Sequence, residues 1–401
     1  LGQKGDKFVT DLELAFTTLR DKRGHHDKRI AYYEGRQPLR WSQERLAEVF
    51  EETHVFVQNW CAVVIDAAVD RMVLERFNVA DQDPLSKRLD ELLRATGLDL
   101  DTEDVHRDAV VCGEGYVLAW KDEEIEAYRQ DPRSVHLWMD PQHPRTARMG
   151  AKLFEDDDGK GHLVLYYPDR LEYWKSTKPL EQIEDWKQAD WVSDEEAGGT
   201  AENPYGIVPL FCFQTNARAA SDLDNAIPLQ DVVNKTLSDL VAVAEYAAYP
   251  QRWMISNADD DGKLPVSPQS VLQVPASGPG EQPTQIGSFP AADMSNFVTI
   301  LNAMALSMGI ITRTPKHYFF AQGGDPSGEA LVAMEAPLNK KVTRYEKRLG
   351  PEWGRLAAFL LKLDGQQAEA SSIEPVWADP RTVQPLTQAQ IRQTNVRAGM
   401  P

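Results

Sequence analysis

Two segments with narrow apolar stripes, separated by a stretch too polar to be core, constrain this chain more than any other feature. Residues 229–248 carry Val233, Leu237, Leu240, Ala244 and Ala247 at intervals of three and four, and residues 293–309 carry Met294, Phe297, Leu301, Met304 and Met308 in the same way. Such spacing gives each helix one apolar face, and the second is a seam of the coiled-coil type. Residues 257–290 between them are rich in Asp, Pro, Gly and Ser, with a strand-like SVLQVP at 270–275. Pro250 should end or kink the first helix. The pair reads as a helical hairpin with an elaborated tip. Stripes this thin do not make a globular core and suit copies packed around an axis.

Length and charge narrow the rest. At 401 residues the chain can hold two or three domains. A net charge of −19 argues against gripping nucleic acid over a broad basic face, though not against letting it slide past. Cys61, Cys112 and Cys212 are odd in number and far apart, so neither a disulfide framework nor a zinc pattern is available and a reduced, cytoplasmic setting is expected. No uninterrupted apolar run approaches the roughly 20 residues that span a bilayer, and no signal-peptide pattern opens the sequence. It starts at Leu1 rather than Met and stops at Pro401, as a trimmed product would.

The first half changes period part-way. Helical patterns at 11–22, at 59–72 (Trp60, Val63, Val64, Ala67 and Arg71 on one face) and at 86–95 precede short strand patterns. These are GYVLAW from Gly115, SVHLWMD from Ser134, RMGAKLFED from Arg148 and HLVLYYPDRLEYWK from His162. Turn signals such as DDDGKG at 156–161 separate them, so an antiparallel meander is expected, in an α+β domain closing near ENPYGIVPLF at 202–211. Tyr32, Tyr33, Pro38 and Trp41 read as structural anchors. Past residue 327 a third helix is expected through Leu363, with Pro337 and Gly350-Pro351 as points of kinking.

Catalytic chemistry is hard to find. AQGGDPSGEAL, from Ala321, has Gly323 and Gly328 at the spacing of a phosphate-binding loop, but Glu329 and Ala330 stand where a lysine and a hydroxyl are needed. It reads instead as a loop running into a helix that Ser327 caps. His25 and His26 lie in a basic run, KRGHHDKR, that suits a solvated helix face or turn, and His317 has no second ligand at metal spacing. Asp156, Asp157 and Asp158 precede Gly159 and read as a turn. Lys340, Lys341, Arg344, Lys347 and Arg348, interleaved with Tyr345, suit an exposed face paired with acidic neighbours; the sharper reading is a contact with phosphate or with another subunit. No catalytic residue, metal site or cofactor is expected.

The order of the parts resembles a portal protein of tailed bacteriophages, of the siphovirus type found in actinobacteriophages. The resemblance rests on RIAYYEGRQPL, NWCAVVIDAAVDRMVLERF, CGEGYVLAW, DPRSVHLWMDP and NPYGIVPLFCF, then SDLDNAIPLQDVVNKTLSDLVAVAEYAAYPQRW, GIITRTPKHYFFAQGGDPSGEAL and IEPVWADPRTV, which together span nearly the whole chain. It implies an α+β, ring-forming portal fold. Residues 1–220 would be an α/β wing, 221–256 and 291–312 the two stem helices, and 257–290 a small α/β clip. Residues 313–327 would be a tunnel loop, and 328–401 a long kinked wing helix with a return strand and the start of a crown.

The stem would pack through Val233, Leu237, Leu240, Phe297, Leu301 and Met304. The loop residues Phe319, Phe320, Gln322, Gly323, Gly324, Asp325 and Ser327 would face DNA. Members of such a family form a dodecameric ring at one capsid vertex. The ring conducts double-stranded DNA and docks the terminase large subunit and a head-tail adaptor, among major capsid and scaffolding proteins and away from membranes. Assembly in the host bacterial cytoplasm and a final place in the virion are implied. Two rival readings remain at this level: a metal-dependent nuclease, and a structural adaptor without DNA contact.

Overall fold

The computed structural model describes residues 10–38, 57–80, 82–183, 190–248, 252–255, 285–288, 293–319 and 327–381. They fall into two compact units. The larger holds the described residues of Leu1–Gln37, Asn59–Ile227 and Met308–Pro401, and the smaller those of Pro38–Gln58 and Pro228–Ser307.

In the larger unit, α1 (Asp11–Tyr33) begins where Thr10 accepts a hydrogen bond from the Glu13 amide, with Asp11 and Glu13 favouring the dipole. It runs well past residue 22, because the basic run continues the helix. Next come α2 (Trp60–Val69), β1 (Leu74–Val79), α3 (Asp83–Thr96) and α4 (Leu98–Val111). Only Gly97 separates the last two, at a φ of +73° that glycine adopts without strain. The strands are β2 (Gly115–Lys121), β3 (Ile125–Gln130), β4 (Val135–Met139), β5 (Ala147–Glu155), β6 (Lys160–Tyr166), β7 (Arg170–Pro179), β8 (Trp191–Ser193), β9 (Thr200–Glu202) and β10 (Leu210–Phe213).

They make two antiparallel sheets, one in the order β10-β2-β3 and one in the order β4-β5-β6-β7-β8 with β9 also on β7. HLVLYYPDRLEYWK, read as one strand, is two. The chain reverses at Pro168-Asp169, where the Tyr167 amide donates to the Arg170 carbonyl at 2.8 Å, and Tyr166 pairs with Leu171. Proline has no N–H to donate to a ladder with neighbours on both sides and aspartate favours turns, so the strand breaks there. Both faces of the larger sheet are covered. Leu163 and Leu165 meet Leu12, Phe16 and Leu19 of α1, while Val164 and Tyr166 join Tyr116, Leu118 and Leu210. A strand buried on both sides needs the unbroken apolar run seen in its sequence.

The two striped segments are helices, α5 (Ile227–Ala248) and, after the strands β11 (Arg252–Ile255) and β12 (Gln285–Ser288), α6 (Ser295–Thr312); from Pro228 to Ser307 they belong to the smaller unit, and the last turn of α6, from Met308, belongs to the larger. Val233 and Leu301 are buried, whereas Leu237, Leu240, Phe297 and Met304 are half-buried, so both stripes are as narrow as their spacing indicates. The Gln58 amide donates to Asn234 Oδ1 at 3.2 Å, and its carbonyl accepts from Gln230 Nε2 at 2.5 Å. β11 and β12 pair antiparallel, Arg252 opposite Ser288. The strand expected at 270–275 lies outside the described residues.

The larger unit closes with α7 (Gly328–Leu363) and β13 (Ile373–Trp377). α7 is a single helix that includes Pro337 and Pro351. Gly350 and Gly354, one turn apart, form a notch in it: a Cβ on Gly354 would stand 3.1 Å from the carbonyl oxygens of Ala370 and Ile373, and one on Gly350 3.3 Å from the Pro375 ring. β13 pairs antiparallel with β1, Val79 opposite Ile373, which is the added strand expected from SIEPVWADP. Beside the notch, Trp353 Nε1 donates to His106 Nε2 at 3.0 Å, and His106 Nδ1 donates to the Met72 carbonyl at 3.0 Å. Burial pushes the His106 imidazole down to about 4, so the ring is neutral and structural.

Candidate functional site

The glycine-rich stretch lies outside the described residues through 326, and with it Phe320, Gln322, Gly323, Gly324 and Asp325. Both of its ends are described, and both are locked. At the end of α6, Arg313 takes a φ of +60°, uncommon for a residue with a Cβ, and the Thr314 carbonyl passes within 2.8 Å of where a Gly309 Cβ would stand. Only glycine at 309 leaves room for that reversal. Thr312 Oγ1 donates to the Met308 carbonyl at 2.7 Å.

A 3-10 turn, Lys316–Tyr318, then presents the Tyr318 hydroxyl, which accepts from Arg71 Nη2 at 2.8 Å and donates to Glu335 Oε1 at 3.2 Å. Arg71 and Glu335 also pair directly at 3.5 Å. Phe319, grouped with the loop by sequence, is buried with its ring centre 5.5 Å from that of Trp60. It anchors the root of the loop. On the far side Ser327 Oγ accepts from the Ala330 amide at 3.3 Å, the cap expected of it.

The basic run on α7 divides in two. Lys340, Arg344, Lys347 and Arg348 are exposed, but Lys341 is only 2 % exposed. Its Nζ donates to the Thr312 carbonyl at 3.0 Å and pairs with Asp222, which accepts a second bond from the Tyr345 hydroxyl at 2.6 Å. Burial, reinforced by Asp222, pushes the Tyr345 phenol upward. Lys341 thus joins the carboxyl end of α6, where the helix dipole is negative, to the body of α7. The acidic neighbours expected for the other four are not found among the described residues.

A second buried cluster escaped the sequence reading. His26, placed on a solvated face by its neighbours, is buried and its Nε2 donates to Glu114 Oε1 at 3.1 Å. Lys22 Nζ reaches the same oxygen at 2.5 Å and donates to the Val135 carbonyl at 2.6 Å, while the Tyr116 hydroxyl donates to Glu114 Oε2 at 2.8 Å. Burial pushes the Glu114 carboxyl up, but the bonds from His26, Lys22 and Tyr116 outweigh it and hold it at about 2. His136, 3.3 Å from Lys22 Nζ, is pushed down to about 4 by burial and then by the lysine charge. No spacing rule joins residues 22, 26, 114 and 136; only the fold does.

The remaining candidates are structural. Asp156 Oδ1 accepts from the amides of Asp158 and Lys160 at 3.0 and 2.9 Å, a turn, and His162 lies between Asp156 and Asp194 at 3.1 and 3.0 Å. Among the described residues no three His, Cys, Asp or Glu side chains gather as metal ligands. Against the expectation that no apolar run approaches a bilayer span, α6, 18 residues with a mean hydropathy of 1.4, is long and apolar enough to cross one by length and composition. Its small polar residues hide this by interrupting the run. They bond back to the helix, as Thr299 Oγ1 does to the Ser295 carbonyl at 3.0 Å. Ile300, Leu306, Ile310 and Ile311 on α6 remain exposed.

The described residues form a mixed α+β fold with a long helix and a two-helix segment, and the comparisons place it in a family. Residues 20–400 match the family model described as Phage portal protein, SPP1 Gp6-like, and the chain belongs to that family. The portal protein of Mycobacterium phage D29 is 26 % identical over 348 residues, covering 79 % of this chain and 68 % of the relative. That of Mycobacterium phage L5 is 24 % identical over 348 residues with the same coverage. Among solved structures, a chain of the neck of an empty GTA particle computed with C6 symmetry aligns with a TM-score of 0.51 and 15 % identity over 90 % of each chain. This likeness shows the fold.

Proposed function

We propose that this portal protein works as a dodecameric ring at one capsid vertex, forming the channel through which double-stranded DNA is packaged and ejected. It would dock the terminase large subunit during packaging and a head-tail adaptor afterwards, beside major capsid and scaffolding proteins, after assembly in the host bacterial cytoplasm. The observation that carries this reading is the family match over residues 20–400. Residues 1–220 then serve as wing, 221–256 and 291–312 as stem, 257–290 as clip, 313–327 as tunnel loop and 328–401 as wing helix, return strand and start of a crown. The locked loop root supports it, since a loop that touches a moving duplex needs fixed ends and a free middle. Exposed apolar residues on a narrowly striped helix support it too, because neighbouring copies would cover them.

Hydrolysis belongs to the motor in this reading, as Glu329 and Ala330 stand where a phosphate-binding loop needs its lysine and hydroxyl. The test is electron imaging of the purified particle: axial views should show a closed twelve-fold ring with an open centre. Leu301→Asp with Met304→Asp should abolish it. Monomers, or a ring without an axial opening, would overturn the reading in favour of an adaptor. Magnesium-dependent cleavage of plasmid DNA would favour a nuclease. Removing Gly323 and Gly324 should spare the ring and reduce the length of DNA retained in assembled particles.

A further inference from the structure

On the exposed side of α7, Lys340, Arg344, Lys347 and Arg348 occupy positions i, i+4, i+7 and i+8, which share one helix face. None has a carboxylate partner among the described residues. The other cations of this helix are all engaged: Lys341 with Asp222, Arg355 with Glu352 at 2.7 Å, and Lys362 with the Tyr205 carbonyl at 2.6 Å. In a chain of net charge −19, four cations without a carboxylate partner along about 12 Å of helix are an exception, even with Arg344 lying over the Tyr345 ring at 5.5 Å. Their complement has to come from outside the chain.

A matching anionic surface stands elsewhere on the same unit. Asp122, Glu123 and Glu124 form the exposed tip of the β2–β3 hairpin and have no cationic ion-pair partner among the described residues. At the base of that tip Lys121 Nζ donates to the Leu363 carbonyl at 3.0 Å, so the acids are fixed at the carboxyl end of α7. From residue 348 to residue 363 the helix is uninterrupted and about 22 Å long. That exceeds the screening distance of about 8 Å at physiological salt. Two opposite patches held apart by one rod cannot neutralise each other within a chain, and they can do so between chains.

We propose that the acidic hairpin tip of one copy docks on the cationic α7 stripe of the next, a heterologous contact that repeats around an assembly. The inference rests on the ring-forming reading above and adds which surfaces meet. A nucleic-acid backbone could offer the same anionic chemistry, but the negative net charge disfavours it, and three fixed carboxylates opposite four cations favour the neighbouring copy.

Charge reversal tests the contact. The full chain carrying Lys340→Glu, Arg344→Glu and Lys347→Glu, and another carrying Asp122→Lys, Glu123→Lys and Glu124→Lys, should each need about tenfold or more higher concentration to assemble, as read by mass photometry. One chain carrying both sets should assemble nearly as the wild type does, and high salt should weaken wild-type assembly. A misfolded stripe variant would not be rescued by the reversed tip, and the tip variant alters only a hairpin turn, so rescue reports the contact. Normal rings from the stripe variant would overturn the contact and leave the ring reading intact. Charge-dependent growth of open filaments would uphold the contact and overturn the closed ring. A wild type that stays monomeric at every concentration would overturn both. Unchanged assembly with loss of bound duplex DNA would assign the stripe to nucleic acid and overturn the contact.

Discussion

Lys22 and Lys341 solve the same problem in two regions of the larger unit. Each buries its ammonium against a carboxylate, Glu114 or Asp222, that also accepts a bond from a tyrosine, Tyr116 or Tyr345, and each satisfies a backbone carbonyl, of Val135 or Thr312. The difference lies in what surrounds them. His26 and His136 crowd the Lys22 cluster, whereas no histidine contacts Lys341 among the described residues. One junction includes an imidazole, His136, that burial pushes down, and holds α1 to the sheets; the other holds the loop root to α7.

The largest effect of one substitution should come from breaking the loop-root pair. Lys341→Met leaves the half-buried Asp222 without its cation, and about 3 kcal/mol of stability should be lost in chemical denaturation. A second change, Asp222→Asn, should recover part of that loss, since the uncompensated charge is gone. Full additivity would show that the two do not act as a pair.

Acid should separate the clusters next. The folded His136 ring sits at about 4, below its usual value near 6.5, so its contribution is present above pH 6.5 and is lost as pH falls towards 4. That loss is about 3 kcal/mol. His106 adds the same sign over the same window, and Glu114 adds a further loss from about pH 4.5 towards 2. Melting temperature should fall between pH 6.5 and 4, and His136→Gln should remove about half of the slope. Lys341→Met should leave that slope unchanged. If it steepens or flattens the slope, the two clusters are not independent.

Smaller changes probe the root itself. Gly309→Ala forces a Cβ against the Thr314 carbonyl and should cost about 1–3 kcal/mol despite alanine's better helix propensity. Tyr318→Phe removes one hydroxyl while Arg71 and Glu335 can still pair, so a loss of about 1 kcal/mol is expected in the same assay. A loss as large as that of Lys341→Met would make Tyr318, not Lys341, the main tie.

The parts legible in the sequence are those with local periodicity. The stripes of Val233, Leu237 and Leu240 and of Phe297, Leu301 and Met304 gave their helices to within a few residues, and the Ser327 cap announced α7. What stayed hidden is what distant residues decide together. A run of cations has the same spacing whether or not one member turns inward, so Lys341 and His26 looked like their exposed neighbours. The β1–β13 pair joins residues 74–79 to residues 373–377, and only the extra strand, not its partner, could be read. The Pro168-Asp169 reversal carried a turn signal that the apolar run around it masked.

The glycine notch on α7 has a mechanical meaning. The helix is about 54 Å long, with the loop root near its first half and the notch near its last. Gly354 and Gly350 let the chain at 370–375 sit hard against the rod, where side chains would hold it off, so the rod has a tight bearing in its second half. A push at Ser327 then reaches the β1–β13 sheet as a tilt about that bearing rather than as a compression. Pro337, missing one backbone donor and lying between Ser327 and the notch, is where such a lever would flex first.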